Sequence, residues 1–318
     1  MPSTIGIDIG GSSVKAVTRD EGGLIVERYE SPGSPRGGAQ VAAGAIAALR
    51  RLDTSGSVGV GVGVPGQVDP ATGRVSQAVN LGIEDPYDLA AEIESEAGMP
   101  VTLENDVRAA ALGAYEHLSM TGRVVQSLAV VSIGTGISAG VVVDGWLLRG
   151  ARGMAGEVGH VVVDDSGPVC RCGQRGCLEG VAAGPAIGKA WPKGDADAAA
   201  TALFTSAAAG DPAALRVAGR VTGHLTTALG WLAAAYDTEV ILLTGGVASV
   251  GDDFLEIVHR QIVERAAVSE LAARRLRPEQ VILADPMELL GARGAALLAI
   301  GHSLPERVSP ASKKASSK

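Results

Sequence analysis

Residues 150–180 read GARGMAGEVGHVVVDDSGPVCRCGQRGCLEG and contain every cysteine of the chain, Cys170, Cys172 and Cys177. His160 lies a short way upstream in the same stretch. A Cys3His set at this spacing is a typical tetrahedral ligand complement for a structural zinc ion. The plainer alternative is three buried thiols that lie close together by coincidence, but no other cysteine occurs in the 318 residues. The spacing therefore predicts a zinc site formed by these four residues.

Two carboxylates flank the predicted zinc ligands. Glu157 precedes His160 by three residues, and Glu179 follows Cys177 by two. A closed zinc site would anchor both ends of the loop and hold both carboxylates near one another, which is one way to build a sugar-sized polar pocket. Because four protein ligands leave no open metal position, we expect the zinc to be structural rather than a Lewis acid.

The composition limits the class of protein. A chain of 318 residues with 46% apolar residues can bury a large core and is long enough for two domains. The net charge of −8 and the aromatic content of 3% argue against nucleic-acid binding. No run of about 20 apolar residues could span a bilayer, and three thiols committed to a metal fit a reducing cytoplasm. Residues 302–318 are polar and rich in Ser and Lys, so we expect a disordered tail.

Strand patterns flank two glycine turns. Residues 4–9 and 14–18 surround the first turn, and residues 127–133 and 137–143 surround the second. This loose repeat indicates two related halves that face each other across a cleft. Further segments alternate in type, with strands at 24–30, 58–64, 101–104, 240–244 and 281–284, and helices at 38–52, 88–98, 105–117, 196–235 (interrupted at 210–212), 252–266 and 291–300. Strands in groups with helices between them predict an α/β fold.

Glycine turns of this kind are candidate anion sites. The first turn, Gly10-Gly11, follows Asp8 and can direct backbone N–H groups at a phosphate, to which Lys15 could add a charge. Gly245-Gly246 lies between a strand and a helix, where a nucleotide can approach the backbone closely.

Glu104-Asn105-Asp106 falls where a strand ends and a helix begins. Helix capping is one explanation, because Asn and Asp satisfy the free N–H groups of a first turn. Only one of these residues can be the cap, however, and ligands of α/β sheets usually bind at the carboxyl ends of strands. The pattern therefore leaves both capping and a functional role open.

With these motifs the chain resembles the ROK family of sugar kinases and sugar-responsive repressors, which has the actin-like, hexokinase-like ATPase fold. The match runs from Ile5 to about Ile300. Its most specific part has the spacing Gly150-x2-Gly153-x2-Gly156-Glu157-x-Gly159-His160 and Cys170-x-Cys172-Gly173-x2-Gly176-Cys177-Leu178-Glu179. The resemblance implies a ribonuclease H-like α/β protein of two domains with a cleft between them and a structural zinc loop at 150–180. The small domain would be 1–108 joined by a C-terminal helix at about 288–301, and the larger domain 109–287.

The resemblance also implies roles for individual residues. Asp106 would be the catalytic base. The sugar would be bound by a set of residues from both halves, Gly66, Asn105, Asp106, Glu157, His160 and Glu179. ATP with Mg²⁺ would be bound by the glycine turns and their neighbours, Asp8, Gly10, Gly11, Ser12, Lys15, Gly134, Thr135, Gly136, Gly245 and Gly246. His160 would use one ring nitrogen for zinc and the other for the sugar. Ser12-Ser13 replaces the family's common Thr-Lys, which leaves Lys15 as the first cation.

The expected activity is ATP-dependent phosphorylation of a hexose, with glucose as the first candidate. The alternatives within kinases are N-acetylglucosamine, N-acetylmannosamine, mannose or fructose as acceptor, and polyphosphate as donor. A repressor of this family carries a winged helix-turn-helix before the first phosphate motif, and only four residues precede Ile5. A sugar sensor without activity would be expected to lack Asp106 or the glycine turns. The family commonly forms dimers or tetramers, so we expect a homo-oligomer.

Overall fold

The computed structural model describes residues 2–11, 13–33, 35–193 and 198–300. Ser12 and the tail at 302–318 therefore lie outside the described residues. The described strands are β1 (Ser3–Ile9), β2 (Ser13–Arg19), β3 (Ile25–Pro32), β4 (Ser57–Val64), β5 (Gln67–Asp69), β6 (Arg74–Ser76), β7 (Val101–Asn105), β8 (Ser127–Ile133), β9 (Ile137–Val143), β10 (Trp146–Leu147), β11 (Val240–Thr244) and β12 (Val281–Leu283). The described helices are α1 (Gly38–Leu49), α2 (Leu89–Ala97), α3 (Asp106–Met120), α4 (Leu178–Ala182), α5 (Gly184–Ala190), α6 (Ala199–Ala208), α7 (Pro212–Tyr236), α8 (Asp252–Ala266), α9 (Glu270–Arg275) and α10 (Leu290–Leu298).

The described strands form two five-stranded sheets and a separate β5–β6 ribbon. The first sheet has the order β3-β2-β1-β4-β7, and the second has the order β10-β9-β8-β11-β12. Each sheet contains an antiparallel hairpin, β1–β2 or β8–β9, which continues into two parallel strands. The repeated layout that the sequence indicates is therefore confirmed. The carboxyl ends of the parallel strands are the edges where ligands usually bind in such sheets.

Strand β4 shows why the sequence specifies a central strand. Its run of Val and Gly is buried from Gly59 to Val64, which confirms the prediction of a strand covered on both faces. On one face the backbone of α10 lies directly against it, since a Cβ added at Gly61 would be 1.7 Å from the carbonyl oxygen of Ala295. Glycine is required there because any side chain would collide with the helix.

Most predicted segments are present, with shifted ends. The helix predicted over 38–52 ends at Leu49, and the one at 105–117 continues to Met120. The break predicted at 210–212 separates α6 from α7, and Asp211 caps α7 by accepting N–H bonds from Ala213 and Ala214. The part of the predicted 196–235 helix at 196–197 lies outside the described residues. The short elements α4, α5, α9 and β10 were not predicted.

Helices α3 and α10 lie between the two sheets. Helix α10 packs on β1 and β4 of the first sheet, whereas α3 packs on β8 and β9 of the second. The two helices meet through glycine: a Cβ at Gly294 would lie 1.7 Å from the carbonyl oxygen of Ala109, and one at Gly113 would lie 2.0 Å from that of Leu290. The predicted domain limits at 108 and 287 stay a prediction. Among the described helices, none is both long enough and apolar enough to cross a bilayer.

We expect Gly294→Ala to destabilise the protein by about 3 kcal/mol or more, because the new methyl group would overlap backbone of α3. The matched control is Gly219→Ala in α7, where a Cβ meets no atom within 4 Å. Alanine there should be neutral or should stabilise the helix by up to about 1 kcal/mol. Urea unfolding of both variants measures the difference, and equal stabilities would contradict the close helix packing.

Candidate active site

At the junction of β7 and α3, one residue caps the helix and its neighbour carries the candidate catalytic carboxylate. Asn105 is the N-cap, and its side-chain oxygen accepts the N–H groups of Val107 and Arg108. Asp106 is the first residue of α3. The capping explanation therefore holds for Asn105 and leaves the carboxylate of Asp106 available for chemistry. Its Oδ1 accepts only a local bond, from Val107 N–H at 2.9 Å.

Asn105 also joins a second predicted substrate residue. Its side-chain amide donates to the carbonyl oxygen of Gly66 at 3.3 Å, so these two residues lie together at adjacent strand ends. Gly66 has φ of 97°, and a Cβ there would lie 2.6 Å from the carbonyl oxygen of Ser76. Glycine is therefore needed to turn the chain after β4 toward Asn105.

Asp8 and Asp106 form a pair of carboxylates against Gly63 of β4. A Cβ added at Gly63 would be 3.7 Å from Asp8 Oδ1 and 3.4 Å from the Asp106 Cα. The pKa of Asp8 is raised to about 7, chiefly by removal from water and also by the charge of Asp106, while the charge of Lys15 opposes the rise. Removal from water also raises the pKa of Asp106 to about 6, with Glu157 adding to the rise. The pair is therefore poised to hold or release protons near neutral pH.

The predicted zinc ligands are brought together. The ligand atoms of His160, Cys170, Cys172 and Cys177 all lie within 4.8 Å of one another. His160 Nδ1 is 3.6 Å from Cys170 Sγ, and Cys172 Sγ is 3.6 Å from Cys177 Sγ. A tetrahedral zinc with ordinary bond lengths separates N from S by about 3.6 Å and S from S by about 3.8 Å. The donor set and its spacing therefore fit zinc, and Nδ1 is the ring nitrogen directed at it.

The two glutamates that flank the predicted zinc ligands lie near different parts of the candidate site. Glu157 lies close enough to raise the pKa of Asp106 by its charge. Glu179, in the first turn of α4, accepts the N–H of Ile137 at 3.1 Å through Oε2. Its other oxygen lies 3.2 Å from Arg171 Nε. The loop therefore presents one carboxylate toward Asp106 and another toward the β8–β9 turn.

Two of the three glycine turns lie together on the second sheet. Gly134-Thr135-Gly136 joins β8 to β9, and Gly245 follows β11, the strand next to β8. A Cβ at Gly245 would lie 2.6 Å from the carbonyl oxygen of Ile133, beside Gly134. Gly246 and Gly134 have open space where a Cβ would be, which suits a ligand that approaches the backbone.

The first glycine turn belongs to the first sheet. Gly10 N–H donates to the carbonyl oxygen of Ser13 at 2.9 Å, and a Cβ at Gly11 would meet nothing within 4 Å. Lys15, which the sequence offers as a phosphate cation, lies opposite Asp8 and pairs with Glu30 on β3, Nζ to Oε1 3.9 Å. Its charge is therefore shared between two carboxylates.

A charge cluster centred on the buried Glu104 lies beside the site and was not predicted from the sequence. Glu104 has a side chain only 1% exposed and binds two arginines, Arg108 Nε at 2.7 Å and Arg149 Nε at 2.5 Å. Arg108 Nη1 also donates to the carbonyl oxygen of Gly153 at 2.6 Å. The cluster ties the start of α3 to the strand and loop that lead into residues 150–180. The i,i+4 spacing of Glu104 and Arg108 is the sequence feature that could have predicted this ion pair.

The architecture and site define an α/β protein of the actin-like ATPase fold, and comparisons with known proteins identify the family. The model of the ROK family matches residues 4–302, so the chain belongs to the ROK family. It is 34% identical over 291 residues to a glucokinase from Halalkalibacterium halodurans, covering 84% of this chain and 87% of the relative. It is 30% identical over 301 residues to an N-acetylmannosamine kinase from Citrobacter koseri, covering 94% of this chain and 99% of the relative. A ROK family glucokinase from Streptomyces griseus, solved with glucose and AMPPNP, superposes with a TM-score of 0.75 at 28% identity, covering 94% of this chain and 99% of that one.

The zinc prediction follows from the ligand geometry. The purified protein should contain one zinc per chain, and Cys177→Ser should lose it, because Cys177 is a buried member of the predicted ligand set and serine is a poor zinc ligand. Removing zinc should lower the melting temperature and weaken sugar binding, since Glu157 and Glu179 then lose their anchor. Metal analysis together with thermal unfolding measures this. Zinc well below one equivalent in untreated protein would contradict the site.

The raised pKa of Asp106 predicts that this residue destabilises the fold at neutral pH. Its contribution to stability is fully present below about pH 4, where the folded and unfolded states are both protonated, and is lost as pH rises through about 6. Asp106→Asn keeps an oxygen for Val107 N–H without the charge. At pH 8 we expect it to be more stable than wild type by roughly 1 to 2 kcal/mol, less than the full shift because part of the carboxylate meets solvent.

The matched control for this variant is Asp252→Asn, an exposed first residue of α8, which should change stability by less than about 0.5 kcal/mol. Unfolding measured at pH 8 and at pH 4 tests the sign, because the advantage of Asp106→Asn should shrink toward zero at the lower pH. If Asp106→Asn were less stable than wild type at pH 8, the charged carboxylate of Asp106 would not be destabilising the fold.

Proposed function

We propose that this protein is an ATP-dependent hexose kinase, with glucose as the preferred acceptor and glucose 6-phosphate as the product. One observation carries the proposal most directly: the half-buried carboxylate of Asp106, whose pKa is raised to about 6, starts helix α3 beside Asn105 and Asp8. A carboxylate with this pKa is ionised at neutral pH and remains basic enough to accept a proton.

The reaction needs a base because a sugar hydroxyl is a poor nucleophile at neutral pH. Asp106 takes the proton of the 6-hydroxyl group as its oxygen forms a bond to the γ-phosphorus and the bond to ADP breaks. Backbone N–H groups at the turns of Gly10-Gly11 and Gly134–Gly136 position the phosphoryl groups and stabilise their charge. Asp8 would hold Mg²⁺, which would neutralise charge on the phosphoryl donor.

The acceptor pocket is built from groups that suit hydroxyls. Asn105, Glu157, His160 and Glu179 would supply amide, carboxylate and imidazole groups to the sugar hydroxyls, and the zinc proposed for the Cys3His set would fix the His160 tautomer so that Nε2 faces the sugar. The zinc has a structural role in this proposal. A closed pocket would also exclude water, which otherwise competes for the phosphoryl group.

The relatives support sugar kinase activity, but they leave more than one sugar as the acceptor. The glucokinase from Halalkalibacterium halodurans favours glucose. The N-acetylmannosamine kinase from Citrobacter koseri, which matches nearly the full chain, makes N-acetylmannosamine the second candidate. N-acetylglucosamine, mannose and fructose as acceptors, and polyphosphate as donor, stay alternatives. A sugar-binding regulator is favoured less, because the chain retains the carboxylate and the glycine turns that phosphoryl transfer needs.

Two further proposals accompany the activity. A cytoplasmic location fits the substrates and the three cysteines, which are unpaired in the described residues. A homo-oligomer, dimer or tetramer, follows from the family resemblance alone.

The deciding experiment is an ADP-release assay over a panel of hexoses, with ATP and polyphosphate compared by direct detection of the sugar phosphate. We expect glucose with ATP to give the highest kcat/KM, and kcat/KM to fall as pH drops below about 6, because Asp106 becomes protonated. Asp106→Asn should lower kcat by roughly 10³-fold or more, and Asp252→Asn should not. Substantial activity in Asp106→Asn would refute the base; no transfer to any hexose would refute the kinase.

A further inference from the structure

Arg171 lies between two of the proposed zinc ligands, Cys170 and Cys172, and no role has been assigned to it. Its guanidinium is held by Glu179, with Nε 3.2 Å from Oε1. The side chain is 52% exposed, whereas that of Glu179 is 12% exposed. The ion pair therefore fixes one edge of the guanidinium, while about half of the Arg171 side chain stays exposed.

The second oxygen of Glu179 places this ion pair at the β8–β9 turn. Glu179 Oε2 accepts the N–H of Ile137 at 3.1 Å. A Cβ added at Gly136 would lie 2.5 Å from Glu179 Oε2 and 3.8 Å from Arg171 Nη2. The terminal nitrogen of Arg171 is therefore within a few ångströms of the backbone of the turn proposed to bind phosphate.

A phosphate turn in an acidic protein needs a cation, and Arg171 is better placed for this than Lys15. Lys15 lies opposite Asp8 and pairs with Glu30 on the first sheet. The guanidinium of Arg171 is planar and can donate two parallel hydrogen bonds to phosphoryl oxygens. Because Glu179 and the cysteine loop restrict its motion, little conformational entropy is lost on binding.

We propose that Arg171 binds the phosphoryl chain of the nucleotide donor beside the Gly134–Gly136 turn, held in place by Glu179. This inference rests on the proposed function. It makes the cysteine-rich loop part of the donor site as well as the acceptor site. Since Glu179 is also a proposed sugar ligand, a single carboxylate connects the cation on the donor to the hydroxyls of the acceptor.

The test uses Arg171→Met, which keeps much of the side-chain length and removes the charge. Binding of Mg²⁺ with a non-hydrolysable ATP analogue, and of adenosine alone, is measured by calorimetry in the full-length protein. Affinity for the ATP analogue should fall roughly tenfold or more, as expected for the loss of a charge-assisted contact. Adenosine affinity should be unchanged because adenosine has no phosphate. Arg171→Lys should recover part of the loss.

The matched control is Arg175→Met in the same loop. Arg175 donates to the carbonyl oxygen of Gly167 at 2.9 Å and should not affect binding of the ATP analogue. Zinc content reports whether each variant keeps the loop intact. Unchanged affinity for the ATP analogue in zinc-loaded Arg171→Met would overturn the inference, as would an equal loss of affinity for adenosine. If Arg171→Met loses its zinc, the test passes to Arg171→Lys. A lysine variant that binds the ATP analogue no more tightly than the methionine variant overturns the inference.

Failure of this inference is distinguishable from failure of the proposed function. Wild-type protein that phosphorylates no hexose refutes the kinase, while the calorimetric titration still reports on Arg171. Wild-type protein that is active, with a KM for ATP that Arg171→Met leaves unchanged, refutes the role of Arg171 alone.

Discussion

The crossing of α3 and α10 is the constraint on which the site depends. The backbones touch at Gly113 and Gly294, where no side chain fits. Both helices begin at the site: Asp106 is the first residue of α3, and Gly291 in the first turn of α10 lies so close to Asp8 that a Cβ would be 2.3 Å from its carboxylate. One helix contact therefore fixes two carboxylates, that of Asp8 on β1 and that of Asp106 at the start of α3. Their mutual repulsion and loss of water are tolerated because the packing leaves them no alternative position.

The remaining parts of the site are attached to this frame by polar contacts. Glu104 joins the start of α3 to Arg149, and Arg108 reaches the carbonyl oxygen of Gly153, so the loop at 150–180 begins at a fixed point. The Cys3His cluster then brings distant parts of the loop together, and Glu179 connects the end of the loop to the β8–β9 turn through the N–H of Ile137. A buried pair such as Glu104–Arg108 contributes little net stability. Together with the contacts to Arg149 and Gly153, it fixes the start of α3 relative to the loop at 150–180.

The sequence predicted those features that depend on local pattern. Strand β4 was readable from its Val-Gly run, the Cys3His cluster from the cysteine spacing, and a helix start close to Asp106 from the Glu-Asn-Asp sequence, although the prediction placed it one residue early. Contacts between distant residues were not readable, because spacing along the chain does not report which side chains meet. Examples are the pairing of Lys15 with Glu30 and the approach of Arg171 to Gly136. Short helices such as α9, which has no buried residue, lack the apolar periodicity that reveals longer ones.

We expect the carboxylate of Asp106 to accept the proton of the reacting sugar hydroxyl. A crystal structure of the wild-type protein with glucose, Mg²⁺ and a non-hydrolysable ATP analogue tests it most directly. We expect an Asp106 carboxylate oxygen within about 2.6 to 3.2 Å of the 6-hydroxyl oxygen, with the γ-phosphoryl group on the far side of that oxygen. A 6-hydroxyl group bound by another side chain, with Asp106 directed away from it, would show that Asp106 is not the base.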